Sequence, residues 1–324
     1  QDAENGSTIA GAEFGLYAKE DIKAGGKVIV KADEQLCTAV TGEDGTAIFE
    51  QNLPFGSYYI KELQAPDGFV SSDEIIEVTV SYQGQDVEVV RLKEIFKNQP
   101  TTVEFRKSDL TTGVELDGAT LTVLDKDGNE IDKWTSVKGE PHIIKRLHVG
   151  ETYILREEFA PYGYLKAEEV EFTITDTAEI QKVEMKDDVP IGRIIINKKG
   201  EFLSEVSWND MVAGAMDSIW GYVTGSLKDV TFEIYAREDI KAADGESDDY
   251  YKKDELVATI KTDELGIART DDLPLGKYYV VEKETADGFV LDGEPRDIDL
   301  TYRDQDTPVV TFDSEWQNSR QKAK

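Results

Sequence analysis

The sequence predicts an all-β chain built from three tandem β-sandwiches. Three observations predict this fold class: one strand motif occurs three times, Gly- and Asp-rich turns separate short alternating apolar runs, and convincing helical periodicity is almost absent. The length of 324 residues is sufficient for two or three domains, each with a core of its own.

The repeated strand ends in a glutamate and runs into a glycine turn. Its copies are "YYIKELQAPDGF" at 58–69, "YILREEFAPYGY" at 153–164 and "YYVVEKETADGF" at 278–289. Alignment of the copies places Glu62, Glu157 and Glu282 in register. Internal similarity of this kind predicts several copies of one structural unit.

Flanking segments extend the similarity and locate the repeat boundaries. A related strand precedes each copy: "TIAGAEFGLYAKEDI", "ELDGATLTVLDKDG" and "SLKDVTFEIYAREDI". Asn98 and Asn318 each follow their glutamate by 36 residues. The boundaries therefore fall near Pro100 and Pro190, which predicts domains at residues 1–99, 100–190 and 191–324.

Residues 201–225, "EFLSEVSWNDMVAGAMDSIWGYVTG", form an insertion in the third repeat. Their apolar spacing is compatible with a short helix. We expect this segment to be a flap over an open sandwich edge. The alternative is a loop that contacts a ligand. The acidic segment 242–255 is a second candidate for such a loop.

Composition excludes several classes of function. A formal charge of −31 repels nucleic acid and anionic membrane. Cys37 is the only cysteine, so an intrachain disulfide is impossible, and we expect it in a strand. His142 and His148 are the only histidines, too few for a metal site or a catalytic triad, so no metal or cofactor is expected. The segment "DKDGNE" at 125–130 lacks the full calcium-loop pattern and predicts a tight hairpin turn.

Side-chain parity directs the three glutamates toward the cores. Alternate residues of a strand share a face, so Glu157 lies on the face of Tyr153 and Leu155. A buried carboxylate is costly unless it is protonated or paired. We therefore expect a polar partner inside each sandwich.

The same parity places a lysine and a carboxyl or carboxamide inside the second and third repeats. In the second repeat, "TTVEFRKSD" directs Lys107 inward and "KVEMKDDVP" directs Asp187 inward. In the third, Lys198 opens the repeat and Asn318 closes it on the inward faces of their strands. Buried ion pairs, or side chains that reach the rim, are the simpler interpretation of one such triad. Two triads at matching positions favour a reaction between these side chains over a buried ion pair.

The chemistry available to these triads is amide formation. A desolvated lysine loses its proton and becomes a nucleophile, whereas a desolvated glutamate keeps its proton and can transfer it. The lysine attacks the side-chain carbonyl carbon of Asp187 or Asn318. The glutamate hydrogen-bonds the carbonyl oxygen and then helps water or ammonia to leave.

The repeats resemble the CnaB-type (SpaA-like) domains of Gram-positive cell-wall adhesins and pilins over nearly the whole chain. The glutamate motif is similar to the E-box of that family, and "VEFRKSD" and "VEMKDDVP" resemble the reacting strands of its lysine–aspartate repeats. The resemblance implies three tandem immunoglobulin-like (CnaB-type) β-sandwich domains. It also implies that the first and last strands of a repeat lie side by side, with the glutamate on the opposing sheet.

The resemblance further implies two intramolecular isopeptide bonds. They are Lys107–Asp187, assisted by Glu157, and Lys198–Asn318, assisted by Glu282. The third motif departs from the family in carrying Ala286 where proline is common.

The first repeat has Glu62 and Asn98 but no aligned lysine, because "QDAENGSTIAG" aligns with the residues that follow Lys107. Its lysine is expected immediately before Gln1, so no bond is expected at Asn98. Lys27 and Lys31 are the alternatives, but they fall in a later strand.

These features predict a structural stalk or adhesin segment of a Gram-positive surface protein or pilin, and not an enzyme that turns over a substrate. The chain opens on Gln1 and shows no signal peptide, which suggests a piece of a longer protein, and the missing signals say nothing about its localisation. The family resemblance implies an extracellular protein anchored to the cell wall of a Gram-positive bacterium. The expected partners are sortase-linked neighbours in the parent protein and, if the insertion binds a ligand, a host matrix protein or glycan.

Overall fold

Strands account for all the regular secondary structure in the described part of the chain, as the sequence predicts. The computed structural model describes residues 1–208 and 218–322. These residues fall into two compact units, one with residues 1–106, 120–156 and 168–185, the other with residues 107–119, 157–167 and 186–324. No helix in the described ranges is long and apolar enough to span a membrane.

The first repeat contains one four-stranded sheet and a small hairpin. Its strands are β1 (Glu13–Ala18), β2 (Ile22–Ala24), β3 (Lys27–Val30), β4 (Gln35–Val40), β5 (Gly56–Gln64) and β6 (Ile75–Val80). The sheet has the order β4-β1-β5-β6, and β2 pairs with β3. Cys37 lies in β4, as expected. A parallel bridge between Asp2 and Asn98 joins the two ends of the repeat.

The second repeat contains two sheets. Its strands are β7 (Thr102–Asp109), β8 (Thr120–Leu124), β9 (Glu130–Thr135), β10 (His142–Lys145), β11 (Thr152–Phe159), β12 (Val170–Thr173) and β13 (Gln181–Asp187). One sheet has the order β10-β7-β13 and the other β12-β11-β8-β9. The expected hairpin turn joins β8 to β9, with Asp125 accepting hydrogen bonds from the backbone amides of Asp127 and Asn129.

The third repeat has the same plan with a longer first strand. Its strands are β14 (Ile191–Trp208), β15 (Ser218–Ser226), β16 (Thr231–Ala236), β17 (Leu256–Lys261), β18 (Ile267–Arg269), β19 (Leu273–Pro274), β20 (Gly276–Glu284), β21 (Arg296–Leu300) and β22 (Val309–Asn318). One sheet has the order β15-β14-β18, with β19 and β22 also paired to β14, and the other has the order β17-β16-β20-β21. The four-stranded sheets of all three repeats therefore share one topology.

The short helix with which the apolar spacing of residues 201–225 is compatible does not form in the part that the structure describes. Residues up to Trp208 continue β14, and β15 returns antiparallel to it; residues 209–217 lie outside the described ranges. A β-bulge between Leu203 and Glu205 explains the misleading pattern. Leu203 and Val206 pair with Tyr222 and Trp220, so these two residues share a strand face although they are three apart, as on a helix.

A buried tyrosine near the start of the glutamate strand anchors this strand to the preceding turn. The Tyr58 hydroxyl donates to the carbonyl oxygen of Pro54 at 2.7 Å, and that of Tyr278 donates to Pro274 at 2.5 Å. The acceptor is thus the proline carbonyl oxygen of two similar segments, "NLPFG" at 52–56 and "DLPLG" at 272–276. The third-repeat core surrounds this strand and includes Phe232 and Trp316.

Candidate isopeptide sites

The inward faces expected from strand parity are confirmed in both complete repeats. Lys107, Glu157 and Asp187 are buried, and so are their counterparts in the third repeat, Lys198, Glu282 and Asn318. The neighbouring Asp188 is exposed and Lys199 is half-buried, which agrees with the choice made from parity. All six side chains of the two triads belong to the second compact unit.

In the second repeat, the lysine contacts both carboxylates. β7, which carries Lys107, lies beside β13, which carries Asp187, and Glu157 comes from β11 of the opposing sheet. Lys107 Nζ donates to Asp187 Oδ1 and lies 3.0 Å from Glu157 Oε1. The side chains of all three are fully buried. The arrangement of strands implied by the family resemblance is therefore confirmed.

Burial alters the acidity of the second-repeat acceptor. Removal from water raises the pKa of the Asp187 carboxyl to about 7, while the nearby Lys107 opposes the shift. A carboxyl group with this pKa carries its proton in a large share of molecules near neutral pH. The protonated form is the one that can lose water when an amine attacks.

A backbone amide ten residues further along the chain holds the glutamate of the first two repeats. Glu157 Oε2 accepts from the Ala167 amide at 2.7 Å, and Glu62 Oε2 accepts from the Ser72 amide at 2.8 Å. The other carboxylate oxygen lies 3.0 Å from Lys107 Nζ in the second repeat and accepts from Asn98 Nδ2 at 2.7 Å in the first. This anchor was not found from the sequence, because a backbone donor leaves no mark in residue type.

In the third repeat, the glutamate bridges the lysine and the carboxamide. β14 and β22 run parallel, and Glu282 lies on β20 of the opposing sheet. Glu282 Oε2 accepts from Lys198 Nζ at 2.6 Å, and Oε1 accepts from Asn318 Nδ2 at 2.5 Å. One carboxylate is thus placed to take a proton from the amine and to deliver one to the leaving nitrogen.

An aromatic ring lies beside the third-repeat lysine. Lys198 Nζ lies 5.6 Å from the centre of the Phe232 ring, which packs edge-on against Trp316. Burial lowers the pKa of the Lys198 amine, an effect that the hydrogen bond to Glu282 partly opposes. A lowered pKa increases the fraction of neutral amine, which is the nucleophile.

The first repeat retains a glutamate–carboxamide pair without a lysine. Asn98 Nδ2 donates to Glu62 Oε1 at 2.7 Å. Asp2 pairs with Asn98 as Gly200 pairs with Asn318, and Lys198 lies two residues before Gly200. In this register, no described residue of the first repeat occupies the place that Lys198 has in the third.

The two alternative lysines and the histidines do not form a further site. Lys27 and Lys31 are exposed and therefore lie outside the core. His142 hydrogen-bonds Asp132 and stacks on Trp134. Within residues 1–208 and 218–322, His, Cys, Asp and Glu form no group of three or more that could hold a metal ion.

Comparison with protein families decides the identity of the fold. The family model described as the SpaA prealbumin-like fold domain matches residues 1–94, 101–189 and 222–316. The chain belongs to this family. Its three SpaA-type domains agree with the three sandwiches and with the repeats found in the sequence.

The solved structures to which the chain is similar include two proteins of the genus Bacillus. The TIE protein of Bacillus anthracis aligns with 98% of this chain at a TM-score of 0.56 and 23% identity, and the chain covers 49% of that protein's length. BcpA, the major pilin subunit of Bacillus cereus, aligns with 98% of this chain and 97% of its own at a TM-score of 0.41 and 17% identity. A search of curated protein sequences finds no significant match.

Proposed function

We propose that this chain is a self-crosslinking structural segment of a Gram-positive surface protein or pilin. Two isopeptide bonds, Lys107–Asp187 and Lys198–Asn318, lock the second and third SpaA domains. The observation that carries the proposal is the pair of buried triads. In each of them the lysine contacts the glutamate of the opposing sheet, at 3.0 Å in the second domain and at 2.6 Å in the third. Such clusters are expensive as buried charges, and amide formation removes the charge of the lysine and, in the second domain, that of Asp187.

In the second domain, neutral Lys107 Nζ attacks Cγ of protonated Asp187. The new C–N bond forms as Glu157 accepts a proton from Nζ. Glu157 then returns a proton to the departing hydroxyl, the C–O bond breaks, and one water leaves. Glu157 is regenerated, so the reaction occurs once in each molecule and needs no cofactor.

In the third domain, Lys198 Nζ attacks Cγ of Asn318 in the same way. Glu282 Oε2 accepts the proton of Nζ, and Oε1 delivers a proton to Nδ2. The C–Nδ2 bond breaks, and one ammonia leaves. The two oxygens of Glu282 already contact the two nitrogens that exchange this proton.

A covalent link between the first and last strands suits a chain under tension. Force that enters and leaves through the terminal strands passes along the amide and does not separate the sheets. An amide also resists reduction, which suits an extracellular, wall-anchored protein joined to its neighbours by sortase.

The direct test is the intact mass of the chain under denaturing, reducing conditions. We expect a deficit of one water and one ammonia, with Asn98 unreacted. Glu157→Ala should restore the water, and Glu282→Ala should restore the ammonia. A mass equal to that of the unmodified chain would refute the proposal, because the triads would then be buried polar clusters only.

A second candidate function is ligand binding by the arm formed by β14 and β15. The arm exposes an apolar stripe in which Trp220 is 52% and Tyr222 is 37% exposed, and Leu203 and Val206 lie on the same face. Exposed aromatic side chains of this kind are typical of binding surfaces for protein or glycan.

Binding to immobilised matrix proteins and a glycan array tests this candidate. Trp220→Ala combined with Tyr222→Ala should abolish any signal, whereas Leu265→Ala, an exposed apolar residue elsewhere in the domain, should not. Equal binding by all variants would contradict a role for the stripe.

A further inference from the structure

The Asn318 carboxamide has an acceptor that the isopeptide triad does not include. Its Nδ2 donates to Glu282 Oε1 at 2.5 Å and to Thr285 Oγ1 at 2.8 Å. Both N–H bonds of the amide nitrogen are therefore used. Its Oδ1 is buried and has no hydrogen-bond partner among the described residues.

The threonine distinguishes the third domain from the other two. Thr285 is the third residue after Glu282, and the corresponding residues are Ala65 and Ala160. In the second domain the acceptor is Asp187, whose carboxyl group has no N–H to orient. In the first domain, the second acceptor for Asn98 Nδ2 is the backbone oxygen of Val70, at the longer distance of 3.4 Å. The Thr285 hydroxyl thus occurs in the third domain, the one whose triad combines a lysine with a carboxamide.

Two acceptors on the nitrogen fix the orientation of the amide. A carboxamide turned by half a revolution would direct Oδ1 at Glu282, and no proton could then pass from the glutamate to the leaving nitrogen. Glu282 opposes that orientation, because its carboxylate oxygen accepts and would face Oδ1 with no proton between them, and Thr285 fixes the position of the amide by accepting the N–H that Glu282 does not take. The half-buried position of Thr285 keeps water from replacing this hydrogen bond freely.

We propose that Thr285 is a further catalytic residue of the third domain, which holds Asn318 with Nδ2 toward Glu282 and so prepares ammonia as the leaving group. The proposal rests on the proposed function, since it concerns the same bond. Thr285 undergoes no net change: it keeps its own proton and accepts one N–H of Asn318 until the C–Nδ2 bond breaks and ammonia departs.

Refolding kinetics test this role within a single molecule. The chain is recovered unfolded from inclusion bodies, where the triads are not assembled, and is refolded by dilution. Samples are quenched in denaturant at intervals, digested, and analysed for the Lys198–Asn318 and Lys107–Asp187 linked peptides by mass spectrometry. The second-domain bond serves as an internal clock, because its triad has no contact with Thr285 in the proposed mechanism.

The variants separate the hydroxyl from the shape of the side chain. Thr285→Val keeps the shape of the side chain but removes the hydroxyl. It should slow formation of the Lys198–Asn318 bond by about tenfold relative to the Lys107–Asp187 bond, because the transition state loses one hydrogen bond. Thr285→Ser retains the hydroxyl and should restore the rate to within about twofold of the parent chain. Glu284→Gln, at the exposed neighbouring residue, is the control for a change beside Thr285 and should leave the ratio of the two bonds unaltered.

Two results would overturn the proposal. Equal ratios of the two bonds in the parent chain and Thr285→Val would exclude a role for the hydroxyl. Equal slowing by Thr285→Val and Thr285→Ser would assign the effect to packing. Absence of the Lys198–Asn318 bond in the parent chain would instead refute the proposed function, so the two failures are distinguishable.

Discussion

Replacement of Glu157 by glutamine should prevent the Lys107–Asp187 bond of the second domain without creating a cavity. Glutamine has nearly the size of glutamate and retains an oxygen for the Ala167 amide, which now donates at 2.7 Å. It cannot accept the Lys107 proton, so the amide with Asp187 should not form. We expect the water lost by the parent chain to remain in the mass of Glu157→Gln.

The loss of stability follows from the length of chain that the bond encloses. Lys107 and Asp187 are 80 residues apart in the sequence. By analogy with a disulfide, closing a loop of this size stabilises the folded state by about 4.5 kcal/mol at 25 °C. For a domain of this size, that free energy corresponds to a fall in Tm of roughly 20–35 °C.

Differential scanning calorimetry with intact mass measurement provides the assay. Glu157→Gln should leave the proposed Lys198–Asn318 bond unchanged, so the transition of the third domain serves as a reference. Glu158→Gln, one residue further on the same strand and half-exposed on its other face, is the matched control and should keep both the bond and the Tm. Bond formation in Glu157→Gln would refute the role of the glutamate. A missing bond with Tm lowered by only a few degrees would refute the loop-entropy reasoning.

Further predictions concern pH, a buried hydroxyl and the first repeat. During refolding, the rate of water loss should rise less steeply with pH above about 7 than below it, because Asp187, whose pKa burial raises, then loses the proton of its leaving hydroxyl. The rate of ammonia loss should instead rise with pH and reach its plateau below pH 10.5, since burial lowers the pKa of Lys198 from that value and the neutral amine is the nucleophile; linked-peptide mass spectrometry at a series of pH values checks both. Tyr278→Phe should lower the free energy of unfolding by about 1–2 kcal/mol in urea titrations, since it removes a buried hydrogen bond, whereas Tyr279→Phe should have little effect. Tryptic mapping should recover Asn98 in an unlinked peptide, and a linked one would show that a distant lysine reaches the first-repeat site.

Much of the fold was predictable because strand residues alternate between faces. That rule alone directs Lys107, Glu157 and Asp187 inward from three separate strands, and all three are buried in the structure. The repeated motif likewise predicts three sandwiches, in agreement with the three SpaA segments.

Apolar spacing was misleading where the strand is irregular and the alternation of faces is interrupted. Leu203 and Val206 have the spacing of a helix face, but a bulge in β14 brings them to one side of a strand. A bulge depends on the partner strand, so the short segment did not reveal it. Pairing with β15 decides between helix and strand here, because it satisfies the backbone hydrogen bonds that a helix would have satisfied internally.

The sequence by itself determined which side chains enter the cores, since that depends on local backbone geometry. Only the tertiary structure decided which atoms meet there. Glu282 reaches Lys198 and Asn318 from the opposing sheet, and Thr285 takes the second N–H of the carboxamide across a turn. Contacts between sheets depend on their spacing and on the path of the connecting loops, and neither quantity is encoded in the alternation of a single strand.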